Sequence, residues 1–510
     1  MKNWILVSCL FISTFGFSQI EKITYGQEYA NNKKNAFNGF IGENDLALYA
    51  VDYSYISKKK HELILRKYYK NDLQLMESKN IYSNPIEGFY SVPLELFYIQ
   101  SKFYLFSQFD NTKENKTLIG LFIFNEGFVE QSFEIIDTVE QIERTDIEIK
   151  LANDKSQFLV LQNHPHKVAN RQVLDLKTID FDGKTLWNKE LLSTNSVHQI
   201  KVEKLIHLKN ETFILCNYGY KNYSKSSNSN QNILSSKYTL WIYNKKLNFM
   251  KEVVLRLKGK WINGADIALN KQNELIIGGY VNSSRDFGIN AAFNMRLNGK
   301  YEPKKVNYSK MTTDDFKKFL SVKDINKIKF LKDFYLKDLV MMNDGSFYLL
   351  GEMYYKYVDR NYDPRTNITT TTDHYNYNSI IVSYFDRTGA LKWHEHVPKF
   401  QNSTNDFGYY SSFSWIGLGD KIALFYNDNE KNQAISVTDY FNHKDLFNNR
   451  RNAHTYVILN SDGIVKRGQL TDTKTNFVLY PKQSFAINKN TMYLMLEYGR
   501  HSKIMSVSFK

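Results

Sequence analysis

Cysteine and proline are scarce in this sequence. Its 510 residues include two cysteines and seven prolines. Cys9 lies in an apolar N-terminal stretch, and Cys216 is alone in the rest of the chain, which excludes an internal disulfide framework. With so few prolines and no Pro/Ser-rich linker, we expect one continuous body instead of a string of separate domains.

Long apolar runs are scarce as well. The longest extends from Trp4 to Phe17 and follows a single cation, Lys2. This pattern predicts a signal peptide over residues 1–19, because its apolar core is shorter than the roughly 20 residues of a membrane span. We therefore expect an exported protein in the periplasm, on the outer surface or outside the cell. It should have no transmembrane segment and a single domain over residues 20–510.

Short motifs with a defined chemistry are missing. The sequence contains no GxSxG elbow, P-loop, Rossmann glycine fingerprint, HExxH motif or EF-hand loop. These absences remove positive evidence for an enzyme without excluding one, and we expect a binding protein that takes no cofactor. The alternative is a carbohydrate-active hydrolase or lyase that uses acidic residues at the mouth of a channel.

Acidic residues are fewer than basic ones: the chain has 53 aspartates and glutamates against 67 lysines and arginines, and its formal net charge is +14. The cations are scattered among predicted strands and turns and form no stripe, which argues against a nucleic-acid partner. A basic exported surface fits anionic envelope material such as lipopolysaccharide or acidic polysaccharide, and it also serves solubility. The expected partner is an envelope protein or a polysaccharide.

What the sequence has in abundance is one repeated β-strand unit. Its clearest copy is DLVMMNDGSFYLLGE (Asp338 to Glu352) followed by SIIVSYFDRTGALKW (Ser379 to Trp393). Each half has two apolar runs joined by a tight turn with glycine, so the unit predicts a four-stranded antiparallel meander.

Weaker copies of the unit recur along the chain. The first turns lie at residues 43–45, 100–102, 153–154, 209–210, 271–273, 343–345, 419–420 and 488–490, and the second turns at 70–72, 125–127, 182–183, 244–246, 298–299, 388–389 and 462–463. Repetition at this period predicts an all-β fold, an eight-bladed β-propeller of four-stranded antiparallel blades. Seven blades are the alternative if two weak units merge.

The two ends of the chain complement each other. The last unit stops after its third strand at Lys510, while Ile20 to Tyr29 forms a β-like segment before the first unit. We predict that this N-terminal strand completes the last blade, which would close the ring and remove a free sheet edge.

Loop length varies on only one side of the predicted blades. The connections between second and third strands are long at Lys221 to Ser236, Tyr357 to Asn378 and Asn427 to Ala453. They share a face with the links between blades, of which the longest, 309–333, contains a predicted helix capped by Thr312 or Thr313. We call this side the long-loop face and expect function there, because binding residues concentrate on loops.

Eight residues at the long-loop face are candidate ligand-binding residues, and none is predicted to be catalytic. Polar side chains end several second strands and could surround a channel mouth, at Gln108, Asn163, Glu352 and Glu497. They also fit strands that simply emerge into water. Exposed tyrosines suit stacking on sugars or peptides, although some must hold their loop to the blades, at Tyr357, Tyr362, Tyr375 and Tyr377.

Histidines give no predicted metal site. His394 and His396 alternate on one predicted strand, a spacing that can chelate a metal, but no third ligand is placed, and we interpret the strand as exposed. His164 and His166 flank a proline in a predicted turn. Three others fall in or beside long loops and are expected at the surface, namely His374, His443 and His454.

Two segments carry a resemblance to a known family. IDFDGKTLWNKEL (Ile179 to Leu191) and YFDRTGALKW (Tyr384 to Trp393) resemble the Asp-turn-Gly-x-x-x-Trp repeat of pyrroloquinoline-quinone-like propellers. These include quinoprotein dehydrogenases and a scaffold of outer-membrane β-barrel assembly. The chain from residue 20 onward is similar to secreted propellers common in Bacteroidota.

The resemblance implies the propeller fold and export, and no activity. A quinoprotein enzyme of that family would be expected to carry adjacent cysteines and a calcium site, and Cys216 has no neighbouring cysteine. We therefore predict an exported propeller that binds a macromolecular ligand, a protein or an anionic glycan, through the long-loop face. Its role would be that of an envelope scaffold or a recognition protein.

Overall fold

The computed structural model describes residues 20–30, 36–57, 60–81, 86–111, 113–114, 116–140, 146–165, 172–192, 200–218, 237–284, 286–320, 325–471, 476–486 and 489–510. The predicted signal peptide over residues 1–19, the predicted loop from Lys221 to Ser236, and His166 lie outside these residues.

Antiparallel strands dominate the described chain. The strands of its first part are β1 (Ile20–Tyr25), β2 (Tyr29–Ala30), β3 (Ala36–Glu43), β4 (Ala47–Ser57), β5 (Lys60–Tyr69), β6 (Leu75–Asn80), β7 (Tyr90–Ile99), β8 (Lys102–Asn111), β9 (Lys116–Asn125), β10 (Glu130–Glu140), β11 (Asp146–Leu151), β12 (Phe158–Pro165), β13 (Gln172–Ile179), β14 (Thr185–Leu192), β15 (Ile200–His207), β16 (Glu211–Tyr218), β17 (Lys237–Asn244) and β18 (Phe249–Val254). Those of the second part are β19 (Trp261–Leu269), β20 (Leu275–Asn282), β21 (Gly288–Ile289), β22 (Ala291–Leu297), β23 (Pro303–Lys310), β24 (Leu331–Lys332), β25 (Phe334–Met341), β26 (Phe347–Asp363), β27 (Ile368–Phe385), β28 (Leu391–Thr404), β29 (Ser414–Leu418), β30 (Lys421–Asn429), β31 (Leu446–Phe447), β32 (Asn452–Asn460), β33 (Gly463–Gln469), β34 (Val478–Ala486), β35 (Thr491–Tyr498) and β36 (His501–Phe509). The helices are α1 (Thr313–Phe319) and two 3₁₀ turns, Ile325–Lys327 and Glu430–Ala434.

Eight sheets of four or five strands organise the described residues. In chain order, sheet 1 is β3–β6, sheet 2 is β7–β10, sheet 3 is β11–β14, sheet 4 is β15–β18, sheet 5 is β19, β20, β22 and β23, sheet 6 is β25–β28 with β31, sheet 7 is β29, β30, β32 and β33, and sheet 8 is β34–β36 with β1 and β2. A two-stranded sheet, β21 with β24, is added to these. The prediction of an all-β fold built from four-stranded antiparallel sheets is confirmed.

Turn chemistry explains where these strands begin and end. In sheet 6, Gly345 has φ +86° and its N–H donates to the Met342 carbonyl at 3.2 Å, so the first hairpin reverses where Asn-Asp-Gly predicts. In the second hairpin, Gly389 has φ +82° and donates to the Asp386 carbonyl at 2.8 Å. The other predicted turns also separate successive strands of their sheets, although Asn488 of the last first turn lies outside the described residues.

Apolar clusters join each sheet to the next. Between sheets 1 and 2, for example, Tyr49 packs with Phe103 at a ring-centroid distance of 5.0 Å. A comparable cluster joins sheet 8 back to sheet 1, where the centroids of Phe40 and Tyr493 lie 5.8 Å apart. A ring of eight blades requires such contacts between all neighbours, including the last and the first. Blade number and ring closure stay predictions, which these contacts support.

The N-terminal segment lies where the sequence predicts. β1 pairs antiparallel with β36 from Ile20↔Phe509 to Tyr25↔Met505, and β2 pairs with the beginning of β36. Sheet 8 therefore obtains its outer strand from the other end of the described chain.

The predicted helix is present on the long-loop face. Thr312 is the N-cap of α1 and forms a capping box with Asp315, whose side chain accepts the Thr312 N–H at 2.8 Å. Phe316 is buried, and the Lys318 ammonium group donates to the His394 carbonyl at 2.6 Å. These contacts fix α1 against β28 of sheet 6.

Replacement of Gly279 by alanine is expected to lower the free energy of unfolding by about 1–3 kcal/mol, the usual cost of overpacking. A Cβ atom at Gly279 would lie 2.0 Å from the Gly264 carbonyl oxygen, which is backbone of the neighbouring strand and cannot move aside alone. Guanidinium unfolding measures the effect. Gly299→Ala is the control, since its Cβ atom would meet nothing within 4 Å; equal stability of both variants would contradict this packing.

Candidate binding site on the long-loop face

A regular β-hairpin replaces the predicted polar loop from Tyr357 to Asn378. β26 and β27 stay paired from Met353↔Asn378 outward to Asp363↔Ile368. The prediction of a long loop at this place was therefore wrong, because the tyrosine, threonine and valine side chains of the segment favour an extended strand. We call the paired segment 354–377 the arm.

One side of the arm carries three aromatic rings, two of which are exposed. The Tyr355 and Tyr357 centroids lie 6.5 Å apart with planes at 18°, and the Tyr357 and His374 centroids lie 4.4 Å apart with planes at 5°. Tyr355 is 37% exposed and Tyr357 is 45% exposed. We call Tyr355, Tyr357 and His374 the ring ladder. Tyr357 and His374 stack face to face, so the ladder offers its exposed ring edges and the tyrosine hydroxyl groups to a ligand.

The opposite side of the arm holds it to the body. Tyr375 is 4% exposed and contacts Phe407 at 6.0 Å between centroids, while half-buried Tyr377 packs on Tyr354 at 4.6 Å. Of the four candidate tyrosines, Tyr375 and Tyr377 are the ones that hold the arm to the blades, which the sequence alone did not decide. Tyr357 and Tyr362 are exposed, and Tyr362 lies near the tip of the arm.

Glu352 lies beneath the arm in a buried ion-pair cluster. The ammonium group of fully buried Lys399 is 2.9 Å from the Glu352 carboxylate, Lys337 approaches it at 3.5 Å, and the Ser412 hydroxyl donates to it at 2.7 Å. Burial opposes ionisation, but the two lysines lower the pKa of Glu352 below its ordinary value. Lys399 also donates to the Tyr377 carbonyl at 2.6 Å, so the cluster supports the base of the arm.

A cavity of about 410 Å³ opens beside this cluster, between the first strands of sheets 4, 5 and 6. Lys204 lies within it, 3.5 Å from Asp266 and 3.3 Å from Asp338. Burial raises the pKa of Asp266 to about 6, and Lys204 opposes that rise. Asp266 also accepts the Leu339 N–H at 2.9 Å, so its role is to join neighbouring sheets.

Glu497 lies in a separate cleft of about 650 Å³. Its carboxylate accepts a hydrogen bond from the Tyr410 hydroxyl at 3.1 Å, and burial raises its pKa. The cleft is formed by the segment before β32, the beginning of β34 and the end of β35, and its lining includes Glu430, Asn449, Arg450, Arg451, Asn452, Asn476 and Tyr498.

The other two polar candidates lie on different sheets and make local hydrogen bonds. Gln108 donates to the Asp110 carboxylate at 2.9 Å within sheet 2. Asn163 is 4% exposed and donates to the Ile200 carbonyl at 2.8 Å, which joins sheet 3 to sheet 4. The structure thus gives Gln108 and Asn163 contacts that stabilise the sheets, whereas Glu352 lies at the arm and Glu497 in the cleft.

The surface positions expected for four histidines were wrong. His394 and His396 are each 1% exposed, because α1 and the segment after β30 cover their strand; the His396 ring lies between Phe319 at 4.4 Å and Tyr440 at 5.1 Å. His443 and His454 are buried as well. His374 belongs to the ring ladder, and His164 pairs with Asp175 at 2.8 Å. In the part of the chain that the structure covers, no three His, Cys, Asp or Glu side chains converge as a metal site would require.

The sequence did not predict the charged and polar contacts between residues that are far apart in the chain. Lys337 and Lys399 come from different strands than Glu352, and Arg450 and Arg451 reach the Glu497 cleft from the turn between β31 and β32. The paired basic residues at 450 and 451 were the only sequence signal for the second site. No helix in the described ranges is both long and apolar enough to cross a membrane.

The eight sheets place the protein in the β-propeller class. No family model matches the chain, and no curated protein matches it. Solved structures similar to it include a quinohemoprotein alcohol dehydrogenase from Pseudomonas putida, with 8% identity over 95% of this chain and 76% of that one and a TM-score of 0.43.

Two further similar structures are propeller domains. The WD40 domain of SCAP from fission yeast is 10% identical over 95% of this chain and 98% of that one, with a TM-score of 0.37. The β-propeller domain of the Trilobed protease from Pyrococcus furiosus is 10% identical over 90% of this chain and 99% of that one, with a TM-score of 0.35.

Proposed function

We propose that the protein is an exported, non-enzymatic propeller that binds a macromolecular ligand through its long-loop face, as a scaffold or recognition component of the envelope. The ligand is a protein or an anionic glycan. The ring ladder is the observation that carries this proposal, because Tyr355 and Tyr357 stay exposed on a hairpin whose outer part, beyond Tyr357↔His374, pairs with no third strand among the described residues. A two-stranded segment in water has little stability of its own. A ligand that covers these rings would bury apolar surface and stabilise the arm.

Charge at the base of the arm supports an anionic ligand. Lys482 lies over the Tyr377 ring at 4.7 Å, and Lys337 is partly exposed next to Glu352. The outer arm itself is neutral, since Asp359 and Asp363 balance Arg360 and Arg365. An elongated ligand that packs against the ring ladder would therefore bring its acidic groups close to the lysines.

The double substitution Tyr355→Ala and Tyr357→Ala is expected to weaken binding to immobilised envelope extract about tenfold or more, since each aromatic contact contributes roughly 0.5–1.5 kcal/mol beyond area burial. Biolayer interferometry measures the change. Tyr69→Ala is the matched control, because Tyr69 is 44% exposed beside a turn on the opposite face. Protease or glycosidase treatment of the extract separates the two ligand classes; unchanged binding by the double variant would overturn the proposal.

The second candidate function is a carbohydrate-active hydrolase or lyase. The observation that favours it is that Glu430 and Glu497 line the same cleft, and that burial raises the pKa of Glu497, as a general acid requires. Glu352 does not fit that role, because Lys399 and Lys337 favour its ionised form. Release of reducing ends from polysaccharide by the native protein, lost in Glu497→Gln, would establish the enzyme; no release would leave the binding function.

A further inference from the structure

We infer that the Glu497 cleft is a subsite for the carboxylated sugar units of an acidic polysaccharide. The inference rests on the proposed function and narrows its ligand from a protein or anionic glycan to a glycan. The cleft and the ring ladder share no residue: the ladder lies on β26 and β27, whereas the cleft is lined mainly by the segment before β32 and by residues of β34 and β35.

Two arginines supply the cationic part of the cleft. Arg450 and Arg451 are exposed and line the cleft, and neither forms an ion pair within the described chain. A guanidinium group binds carboxylate through two parallel hydrogen bonds, which a lysine ammonium cannot do. Unpaired arginines beside a cavity of about 650 Å³ therefore favour a carboxylated ligand.

Backbone contacts hold the arginine segment in place. The Glu430 N–H donates to the Arg451 carbonyl at 2.8 Å, and the Arg450 N–H donates to the Phe447 carbonyl at 3.0 Å. Arg451 has φ +58°, a left-handed conformation that is uncommon for a residue with a long side chain. The segment keeps this conformation because its neighbours are fixed, which places two adjacent guanidinium groups beside the cleft.

The remaining lining suits a sugar ring. Tyr498 is 52% exposed and offers a stacking face. Asn449, Asn452 and Asn476 offer amides that can both donate to and accept from hydroxyl groups. The buried Oδ1 atom of Asn452 has no hydrogen-bond partner among the described residues, although its Nδ2 atom donates to the Phe477 carbonyl at 3.2 Å.

The combination distinguishes a glycan from other anions. Phosphate or a free carboxylate would use the arginines alone and leave Tyr498 and the amides without a role. Glu430 and Glu497 lie half-buried in the same cleft, so a dense polyanion would be repelled by them. A sugar that carries one carboxylate and several hydroxyls satisfies the arginines, the amides and the ring together.

Affinity gel electrophoresis of the full chain tests the inference with three polysaccharides: polygalacturonate, neutral dextran and dextran sulfate. We expect polygalacturonate to retard the native protein more strongly than the densely charged dextran sulfate does, and neutral dextran not to retard it. Arg450→Ala with Arg451→Ala, and separately Tyr498→Ala, should each raise the dissociation constant about tenfold. Lys245→Ala with Lys246→Ala removes the same charge from an exposed hairpin turn of sheet 4 and should change it less than twofold.

Three results would overturn the inference. The first is that dextran retards the native protein as much as polygalacturonate does. The second is that the arginine variant binds polygalacturonate with unchanged affinity. The third is that the arginine and lysine variants lose affinity equally, which would indicate a general attraction between charges. The Tyr355→Ala and Tyr357→Ala variant separates this inference from the proposed function. If that variant loses envelope binding while the cleft variants keep their polygalacturonate affinity, the long-loop function stands and the cleft assignment fails; if every variant behaves like the native protein, both fail.

Discussion

Acidification from pH 7 to pH 5 is expected to destabilise the protein strongly. The cause is a set of buried histidines that are neutral in the fold. Burial is the first cause of the shift in every case; it lowers the pKa to about 4 for His207, His394, His443 and His454, and to about 3 for His396. Their contacts fit the neutral form: the Nδ1–H group of His396 donates to the Lys318 carbonyl at 2.6 Å, and its Nε2 atom accepts from the Ser379 hydroxyl at 2.9 Å.

The direction of this pH effect follows from the difference between each histidine's pKa in the unfolded chain and its pKa in the folded protein. The unfolded chain binds a proton near pH 6.5, whereas the folded chain does not do so until about pH 4, so the stability is fully present above pH 6.5 and is lost as the pH falls toward 4. Each histidine then contributes a loss of roughly 2 kcal/mol between pH 7 and pH 5. Asp266, with a pKa of about 6, gains a proton in the fold over this range and offsets part of the total.

Guanidinium unfolding at pH 7 and pH 5 measures this dependence. The variant His396→Gln keeps a donor and an acceptor for Lys318 and Ser379 but cannot be protonated. It should therefore show a smaller difference between the two pH values than the native protein does. Equal unfolding free energies of the native protein at both pH values would contradict the assignment of neutral buried histidines.

Lys399→Met is expected to lower the unfolding free energy by about 3–5 kcal/mol, the usual cost of breaking a buried ion pair from one side. Lys399 and Glu352 are 0% and 1% exposed at the side chain, and the second lysine near Glu352 is farther away, at 3.5 Å. The substitution leaves a buried carboxylate without its closest cation. It also removes the hydrogen bond to Tyr377 that supports the arm.

The control variants for Lys399→Met also change residues of the Glu352 ion-pair cluster. Lys337→Met removes a partly exposed lysine and should cost less than about 1 kcal/mol. Combining Lys399→Met with Glu352→Gln should recover part of the loss, because the unpaired charge is then gone. A loss below about 1 kcal/mol for Lys399→Met alone would show that the pair does not hold the sheet and the arm together.

The strands and turns could be predicted because their causes are local. Asn343 to Gly345 and Asp386 to Gly389 reverse the chain through side-chain acceptors and glycine conformations that short peptides already favour. The pairing of the N-terminal segment with sheet 8 could also be predicted, since one unit lacked a strand and another segment was left over.

The site could be predicted only in outline, because its contacts join segments that are distant in the sequence. The arm was predictable in principle, because Tyr355 to Asp363 and Ile368 to Tyr377 are rich in tyrosine, threonine and other residues that favour strands on either side of a turn. The burial of Tyr375 depends on Phe407, and that of His396 on Tyr440. Neither partner is near in sequence, so polarity alone placed these residues at the surface.

Site-specific photo-crosslinking tests the central claim, that the long-loop face is the binding surface, most directly. A photoreactive phenylalanine analogue would replace Tyr357 on the ring ladder or Tyr69 on the opposite face, two positions that are 45% and 44% exposed. After irradiation in envelope extract, we predict a discrete adduct from position 357 and none from position 69. Adducts of equal yield from both positions, or an adduct from position 69 alone, would contradict the account.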